Sequence, residues 1–221
     1  MKVGMITIGQ SPRKDVTSEI RGIIGKVEIV ERGCLDGLTE EQIRSLKPDE
    51  GEPFLVTLLR GGSSIQVSRG KVIDLIQKRV GELEKENVNL TVLLCTEDFP
   101  DFKSEKPVIE PGKLIYSVVQ SVITKDRKVG VLIPSFGQME QARKKWSKMN
   151  PVITAVSPYE NQEKIEEAAK TLKTKNVDLT VLDCIGYTRQ IKRKVRKITG
   201  KPVILSRTLV ARVLKEFINF E

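Results

Sequence analysis

The 221-residue sequence has no histidine, three cysteines and few aromatic side chains: six Phe, three Tyr and one Trp. Without His, Ser-His-Asp and Cys-His catalysis are excluded, together with the commonest zinc sites and the usual proton shuttle at neutral pH. Acid–base work falls to Cys, Lys, Tyr, Asp and Glu. Three widely spaced Cys exclude a secreted disulfide framework and predict reduced thiols. No apolar run reaches the length of about 18 residues that a membrane helix needs. Met1 leads into the strand-like KVGMITI rather than an export signal, so a soluble cytoplasmic protein without membrane contact is expected. Nothing predicts a metal or an organic cofactor. The scarcity of aromatics leaves few anchors for a large obligate interface, with a homodimer through aliphatic helices still open.

What the chain does have is charge. The net +9 and pI near 9.4 predict affinity for anions, either small carboxylates and phosphates or nucleic acid. The excess is spread along the sequence. Its densest stretch, RQIKRKVRKITGK from Arg189 to Lys201, carries Ile191, Val195 and Ile198 at helical spacing. That pattern predicts an amphipathic helix with a solvated basic face, so a small anionic carboxylate ligand is favoured over nucleic acid.

Strand-like and helix-like segments alternate throughout, which predicts an α/β fold. Strands are expected at Lys2–Ile8, Val27–Glu31, Phe54–Arg60 and Leu90–Cys95, with helices at Pro12–Ile24, Glu40–Leu46 and Lys71–Glu86. Pro12 suits a first helical turn after Ser11. The proline-bearing Thr96–Gly112 reads as a connection, after which the cycle restarts. The second half predicts strands at Lys128–Ile133, Val152–Val156, Leu179–Cys184 and Pro202–Leu205. Its helices are expected at 113–123, 137–147, 160–173, 187–198 and 208–219. The expected architecture is two similar Rossmann-like or flavodoxin-like lobes, pseudo-twofold related, each with a roughly four-stranded, mainly parallel sheet. The lobes are expected over residues 1–104, joined by a closing helix at 206–221, and 105–205.

Two cysteines end matching copies of one pattern, Leu90-Thr91-Val92-Leu93-Leu94-Cys95-Thr96 and Leu179-Thr180-Val181-Leu182-Asp183-Cys184-Ile185. Open α/β sheets place their chemistry at the carboxyl ends of strands. A thiol there meets free backbone N–H groups, which favour thiolate. Two such thiols facing one carbon acid suit cofactor-free racemisation or epimerisation, and a single thiol acting as proton donor suits decarboxylation. Cys is also a common packing residue, so either position is equally compatible with a core role. Cys34 lacks the echo. Around Cys95 and Cys184, the expected substrate-binding residues are Gln10, Ser11 and Arg13 after the first strand, Arg60 and Ser63 in RGGSS, Thr96, Ser135, Gly186 and Thr188. Ser11 also fits a helix cap and Arg13 a surface charge. Asp183 is expected on the strand face opposite Cys184.

The segments TIGQSPR, LVTLLRGGSSIQVSRGKV, LIPSFGQ, LDCIGYTRQIKRKV and ILSRTLVARVL resemble the AroM family across nearly the whole chain. More distantly, the two-cysteine layout is similar to the aspartate/glutamate racemase and arylmalonate decarboxylase superfamily. That resemblance implies two α/β lobes and cofactor-free chemistry in the cleft between them. Cys95-Thr96 matches the superfamily's first cysteine element. Cys184-Ile185-Gly186 keeps the Cys of the second, with Ile in place of Thr and Gly at a position where His can occur. The resemblance implies an isomerase or lyase of a small carboxylate, with a non-catalytic anion-binding regulatory protein as the alternative.

Overall fold

The computed structural model describes residues 1–218, so residues 219–221, the end of the expected closing helix, lie outside the described residues. The chain divides into two compact units. One comprises Met1–Gly112 and the chain from Val213 onward, and the other Lys113–Arg212.

In the first unit, β1 (Lys2–Thr7), β2 (Glu28–Gly33), β5 (Leu90–Leu93) and β6 (Val108–Ile109) form a parallel sheet in the order β2-β1-β5-β6. Helices α1 (Lys14–Ile24), α2 (Glu40–Ser45) and α3 (Arg69–Lys85) accompany it, with a separate antiparallel hairpin of β3 (Phe54–Leu58) and β4 (Ser64–Ser68). In the second unit, β7 (Val129–Ile133), β8 (Pro151–Ala155), β9 (Leu179–Leu182) and β10 (Val203–Leu205) form the parallel order β10-β9-β7-β8. Helices α4 (Pro111–Val122), α5 (Met139–Trp146), α6 (Gln162–Thr174), α7 (Arg189–Thr199) and α8 (Ser206–Ile218) complete the chain, and the second boundary between units falls within α8. This is the expected α/β architecture of two similar, mainly parallel lobes.

The two sheets repeat one another residue by residue. In the first, Val3, Gly4, Met5 and Ile6 stand opposite Leu90, Thr91, Val92 and Leu93. In the second, Val129, Gly130, Val131 and Leu132 stand opposite Leu179, Thr180, Val181 and Leu182. Asn87 and Asn176, which precede β5 and β9 by the same spacing, both adopt left-handed φ, at 57° and 52°. The Gly–Thr pair has a packing cause. A Cβ on Gly4 would lie 2.7 Å from Leu83 of α3, and one on Gly130 would lie 3.2 Å from Leu172 of α6. In each copy the glycine lets a helix leucine settle onto the sheet, where buried apolar area supplies most of the stability.

The strands β5, β7 and β9 are buried along their length, as expected of sheets covered on both faces. Helix α7 buries Ile191, Val195 and Thr199 and leaves Arg193, Arg196 and Lys197 exposed, so the basic stretch is largely a solvated face.

Three local expectations are corrected. The strand at Phe54 belongs to an antiparallel hairpin rather than to the parallel sheet, and its partner Ser64–Ser68, partly exposed and polar at alternate positions, carries little apolar signal. The fourth strand of the first sheet is instead Val108–Ile109, inside the stretch read as a connection, and is too short to show periodicity. Pro12 precedes α1, which starts at Lys14 with Arg13 at its cap position, because the chain between β1 and α1 is held by side-chain contacts described below.

Candidate functional site

Each unit presents a topological switch point, where the chain leaves the central strand in one direction and its other neighbour enters from elsewhere. It lies between β1 and β5 in the first unit and between β7 and β9 in the second. The crevice outside the carboxyl ends at such a point is where open α/β sheets bind ligands.

In the first unit, Leu94 N–H donates to the Ile6 carbonyl at 2.7 Å and Cys95 follows, half-buried, two residues beyond β5. Thr96 is buried beside it. The loop after Cys95 is stitched to the start of α3 by Arg69, whose Nε lies 3.4 Å from Glu97 and whose Nη2 donates to the Asp98 carbonyl. Cys34 is fully buried in the same core cluster that Cys95 packs against. Its burial pushes the thiol far above the ordinary value and keeps it protonated.

Across the switch point stands the loop after β1. Gly9 is obligatory there, since a Cβ would lie 2.1 Å from the Leu58 carbonyl oxygen of the hairpin. Asp36, past the end of β2, gathers the loop by accepting Ser11 N–H at 2.9 Å, Ser11 Oγ–H at 2.5 Å and Gly33 N–H at 2.7 Å. Arg60 closes the cluster. Its backbone N–H donates to Gln10 Oε1 at 2.8 Å, and its guanidinium donates twice to the Ser11 carbonyl, at 3.1 and 2.9 Å. The structure therefore brings Gln10, Ser11 and Arg60 together.

The other two expected binding residues of this unit stand apart. Ser63 is exposed in the hairpin turn, where its carbonyl accepts the Leu59 N–H. Arg13 is buried, its guanidinium paired with both oxygens of Asp15 at 2.8 Å and donating to Thr7 Oγ1. Neither the helix-cap reading of Ser11 nor the surface reading of Arg13 holds, because Asp36 takes the hydroxyl and Asp15 the guanidinium.

In the second unit, Asp183 N–H donates to the Leu132 carbonyl at 2.9 Å, as Leu94 does to Ile6, and Cys184 follows, half-buried. Gly186 N–H donates to Cys184 Sγ at 3.4 Å. Gly186 packs on Pro158, and a Cβ there would lie 2.8 Å from its ring. Thr188 caps α7, its Oγ1 accepting Ile191 N–H. Ser135, after β7, accepts Gly137 N–H through Oγ and starts a short 3₁₀ turn, so it stands on the far side of this switch point from Cys184.

Asp183 points away from Cys184, as strand alternation requires. Its carboxylate takes two bonds of 2.8 Å from Lys145 Nζ and one of 2.7 Å from the indole N–H of the fully buried Trp146. Tyr187 is fully buried with its hydroxyl donating to the Val156 carbonyl, and burial holds its phenol well above the ordinary value. Arg207, only 1% exposed, donates from Nε to the Ile185 carbonyl at 2.8 Å and from Nη2 to the Gly186 carbonyl at 2.7 Å.

Sequence reasoning missed Asp36, Arg69, Lys145 and Arg207. Asp36 had a signal, an acid just past a strand end in GCLDG. The other three are ordinary helix residues until the chain folds. Among the described residues no group of three or more His, Cys, Asp or Glu side chains is arranged to hold a metal ion. Nor is any described helix long and apolar enough to cross a membrane.

The family model of AroM protein matches residues 3–218. The chain belongs to the AroM family. No curated protein matches this AroM-family sequence. Among solved structures it is similar to the aspartate racemase of Picrophilus torridus, with 16% identity, 98% of this chain and 94% of that one covered, and a TM-score of 0.57. It is similar to the glutamate racemase of Aquifex pyrophilus, with 17% identity, 99% and 84% covered, and a TM-score of 0.60. It is similar also to the maleate isomerase Iso of Pseudomonas putida S16, with 12% identity, 99% and 92% covered, and a TM-score of 0.65. At these identities the likeness establishes the fold the AroM chain shares with racemases and an isomerase.

Proposed function

We propose that the chain is a cofactor-independent isomerase or lyase of a small carboxylate, with Cys95 and Cys184 as its acid–base pair. The observation that carries this reading is the duplicated register. The same strand pairing in each unit delivers one half-buried thiol, two residues past a buried strand, to a topological switch point. Packing alone does not ask for the same residue at the same edge of both copies when Cys34 and Val156, which also occupy matching places after β2 and β8, differ.

The reaction requires the two thiols to act on opposite faces of one substrate carbon. One, as thiolate, takes the proton α to the carboxylate, and the electron pair delocalises into that carboxylate. The other thiol gives its proton to the opposite face. In a lyase, loss of carbon dioxide generates the same carbanion and one thiol protonates it. Gln10, Arg60, Thr96, Ser135 and Thr188 supply donors for the substrate's carboxylate, while Ser11, whose N–H and hydroxyl go to Asp36, and Gly186, whose N–H goes to Cys184 Sγ, shape the loops that line it. Arg13 we assign to holding the loop and Ser63 to its rim. The structural neighbours are named for aspartate, glutamate and maleate, and that isomerase was also solved as a Cys-to-Ala variant with maleate. This supports a four- or five-carbon dicarboxylate or its amino acid as the substrate class.

The test incubates the full-length protein in deuterium oxide with dicarboxylates and acidic amino acids and follows the Cα proton by NMR. Deuterium uptake with inversion at Cα is expected in the wild type and lost in both Cys95→Ala and Cys184→Ala, since a lone thiolate can return a proton only to the face it came from. Inversion retained in both single variants overturns the two-thiol mechanism. A ligand that raises Tm by mass action without any exchange favours the alternative, a non-catalytic small-anion-binding regulatory protein.

A further inference from the structure

The two thiols stand in matching places, yet one of the differences between their surroundings bears on their charge. The register fixes the correspondence. Thr91 pairs with Val108 in the first sheet, and Thr180 pairs with Val203 in the second. Counting on by the same number of residues sets Gly112 against Arg207, each on the helix that follows the edge strand. In both units this position touches the same two carbonyls, those of the residues directly after the cysteine. A Cβ on Gly112 would lie 2.7 Å from the Thr96 carbonyl oxygen and 2.5 Å from that of Glu97. Arg207 instead puts a buried guanidinium on the carbonyls of Ile185 and Gly186.

The carbonyl of Ile185 and the N–H of Gly186 belong to one peptide group. The path therefore runs from Arg207 Nε–H to the Ile185 oxygen, through that peptide, and from Gly186 N–H to Cys184 Sγ. A cation drawing on the carbonyl strengthens the N–H of the same peptide as a donor, because hydrogen bonds in series polarise one another where water is excluded. A thiolate accepts such a bond far better than a thiol does.

We infer that Arg207 is a positioning residue that, through the Ile185–Gly186 peptide, holds Cys184 as the resting thiolate while Cys95 carries the proton. The ionisable groups seen beside Cys184 are compatible with this. Asp183 is matched by Lys145, Tyr187 is buried and protonated, Arg189 opens α7 with like charge, and α6 contributes the apolar Ile165, Ala168 and Ala169 to the cluster Cys184 joins. Near Cys95 stand the protonated Cys34 and Glu97, the latter paired with Arg69, and on the matching helix Gly112 brings no charge.

The roles in turnover rest on the reading of the chain as an isomerase or lyase. Cys184 takes the Cα proton and becomes the thiol, and Cys95 gives its proton to the opposite face and becomes the thiolate. Solvent exchange or the reverse reaction restores the pair. The resting enzyme then accepts first the antipode whose Cα–H faces Cys184.

The protonation states are tested without substrate. The full-length protein is alkylated with iodoacetamide from pH 5.5 to 9.5, and each cysteine peptide is followed by mass spectrometry. Cys184 is expected to titrate at least about one unit below Cys95, equivalent to a roughly tenfold difference in thiolate fraction. Arg207→Gln should raise the Cys184 midpoint to that of Cys95 without moving the latter, and Arg207→Lys, which keeps the charge and loses the fork, should raise it less. Equal midpoints in the wild type overturn the inference, as does a gap that survives Arg207→Gln. If the Gln variant does not fold, an unchanged Cys184 midpoint in Arg207→Lys overturns it instead. A midpoint gap that depends on Arg207, in a protein that exchanges no substrate proton, retains the thiolate assignment and discards the isomerase or lyase reading.

Discussion

At the scale of the residue, the pair Asp183–Lys145 is the sharpest departure of one copy from the other, since the first unit has Leu94 where the second has Asp183. Asp183 is buried, with 5% of its side chain exposed, and Lys145 is largely covered, with 11% exposed. A buried pair contributes little net stability, yet breaking it strands a charge. Asp183→Leu alone is expected to cost about 3–5 kcal/mol in chemical denaturation, and adding Lys145→Met should recover most of that loss. An Asp183→Leu variant as stable as the wild type would show the pair is dispensable, and a double variant no more stable than the single would show that the loss does not come from a stranded charge. Residue chemistry also separates the three thiols. Cys34 is fully buried with its thiol held protonated, so it should stay unmodified by iodoacetamide in the native protein at neutral pH, while Cys95 and Cys184 react. The sequence already set Cys34 apart because it lacked the echo. The burial that silences it became visible only with the fold.

At the scale of the element, the β3–β4 hairpin belongs to neither main sheet and touches the candidate site through a few polar contacts. Arg60 provides most of them, and its side chain is 65% exposed. An exposed charge contributes little to global stability, typically below about 1 kcal/mol. It can still tether a local unit. Arg60→Ala is therefore expected to leave Tm nearly unchanged while hydrogen–deuterium exchange accelerates at Leu58–Gly62 and Gln10–Ser11. Unchanged exchange there would show that the Gly9–Leu58 backbone approach suffices. The hairpin was the element least legible in the sequence, because half-exposed strands carry a weak alternation and a Gly-Gly turn looks the same before a strand as before a helix. The buried parallel strands and the amphipathic helices were legible, because burial on both faces or on one stripe writes itself into the apolar pattern.

At the scale of the whole molecule, both units depend on carboxylates whose titration is shifted downward. Hydroxyl donors are the main cause at Glu52 (Ser68), Glu84 (Ser104) and Asp126 (Thr124), Lys194 at Glu166, and the Lys128 N–H at Asp178. A folded-state value below the unfolded one gives stability that is fully present above the unfolded value and is lost as pH falls through the folded one. Tm should accordingly hold near neutrality and fall on acidification below about pH 4.5. Cys34 has the opposite sign. Its raised value gives stability that is present below the ordinary thiol value and fades as pH rises beyond about 9. A Tm profile that is flat at both ends would contradict both assignments. The sequence by itself determined the layered α/β architecture, the duplication and the matching places of the two cysteines, because strand burial, helix amphipathicity and a repeated register are local patterns that any copy must keep. Only the tertiary structure decided which polar groups meet: Asp36 with Ser11, Arg13 with Asp15, Lys145 with Asp183, and Arg207 with the carbonyls after Cys184. Those partners are far apart in sequence or indistinguishable from surface charges, and what makes each of them matter is burial, a property the folded chain confers.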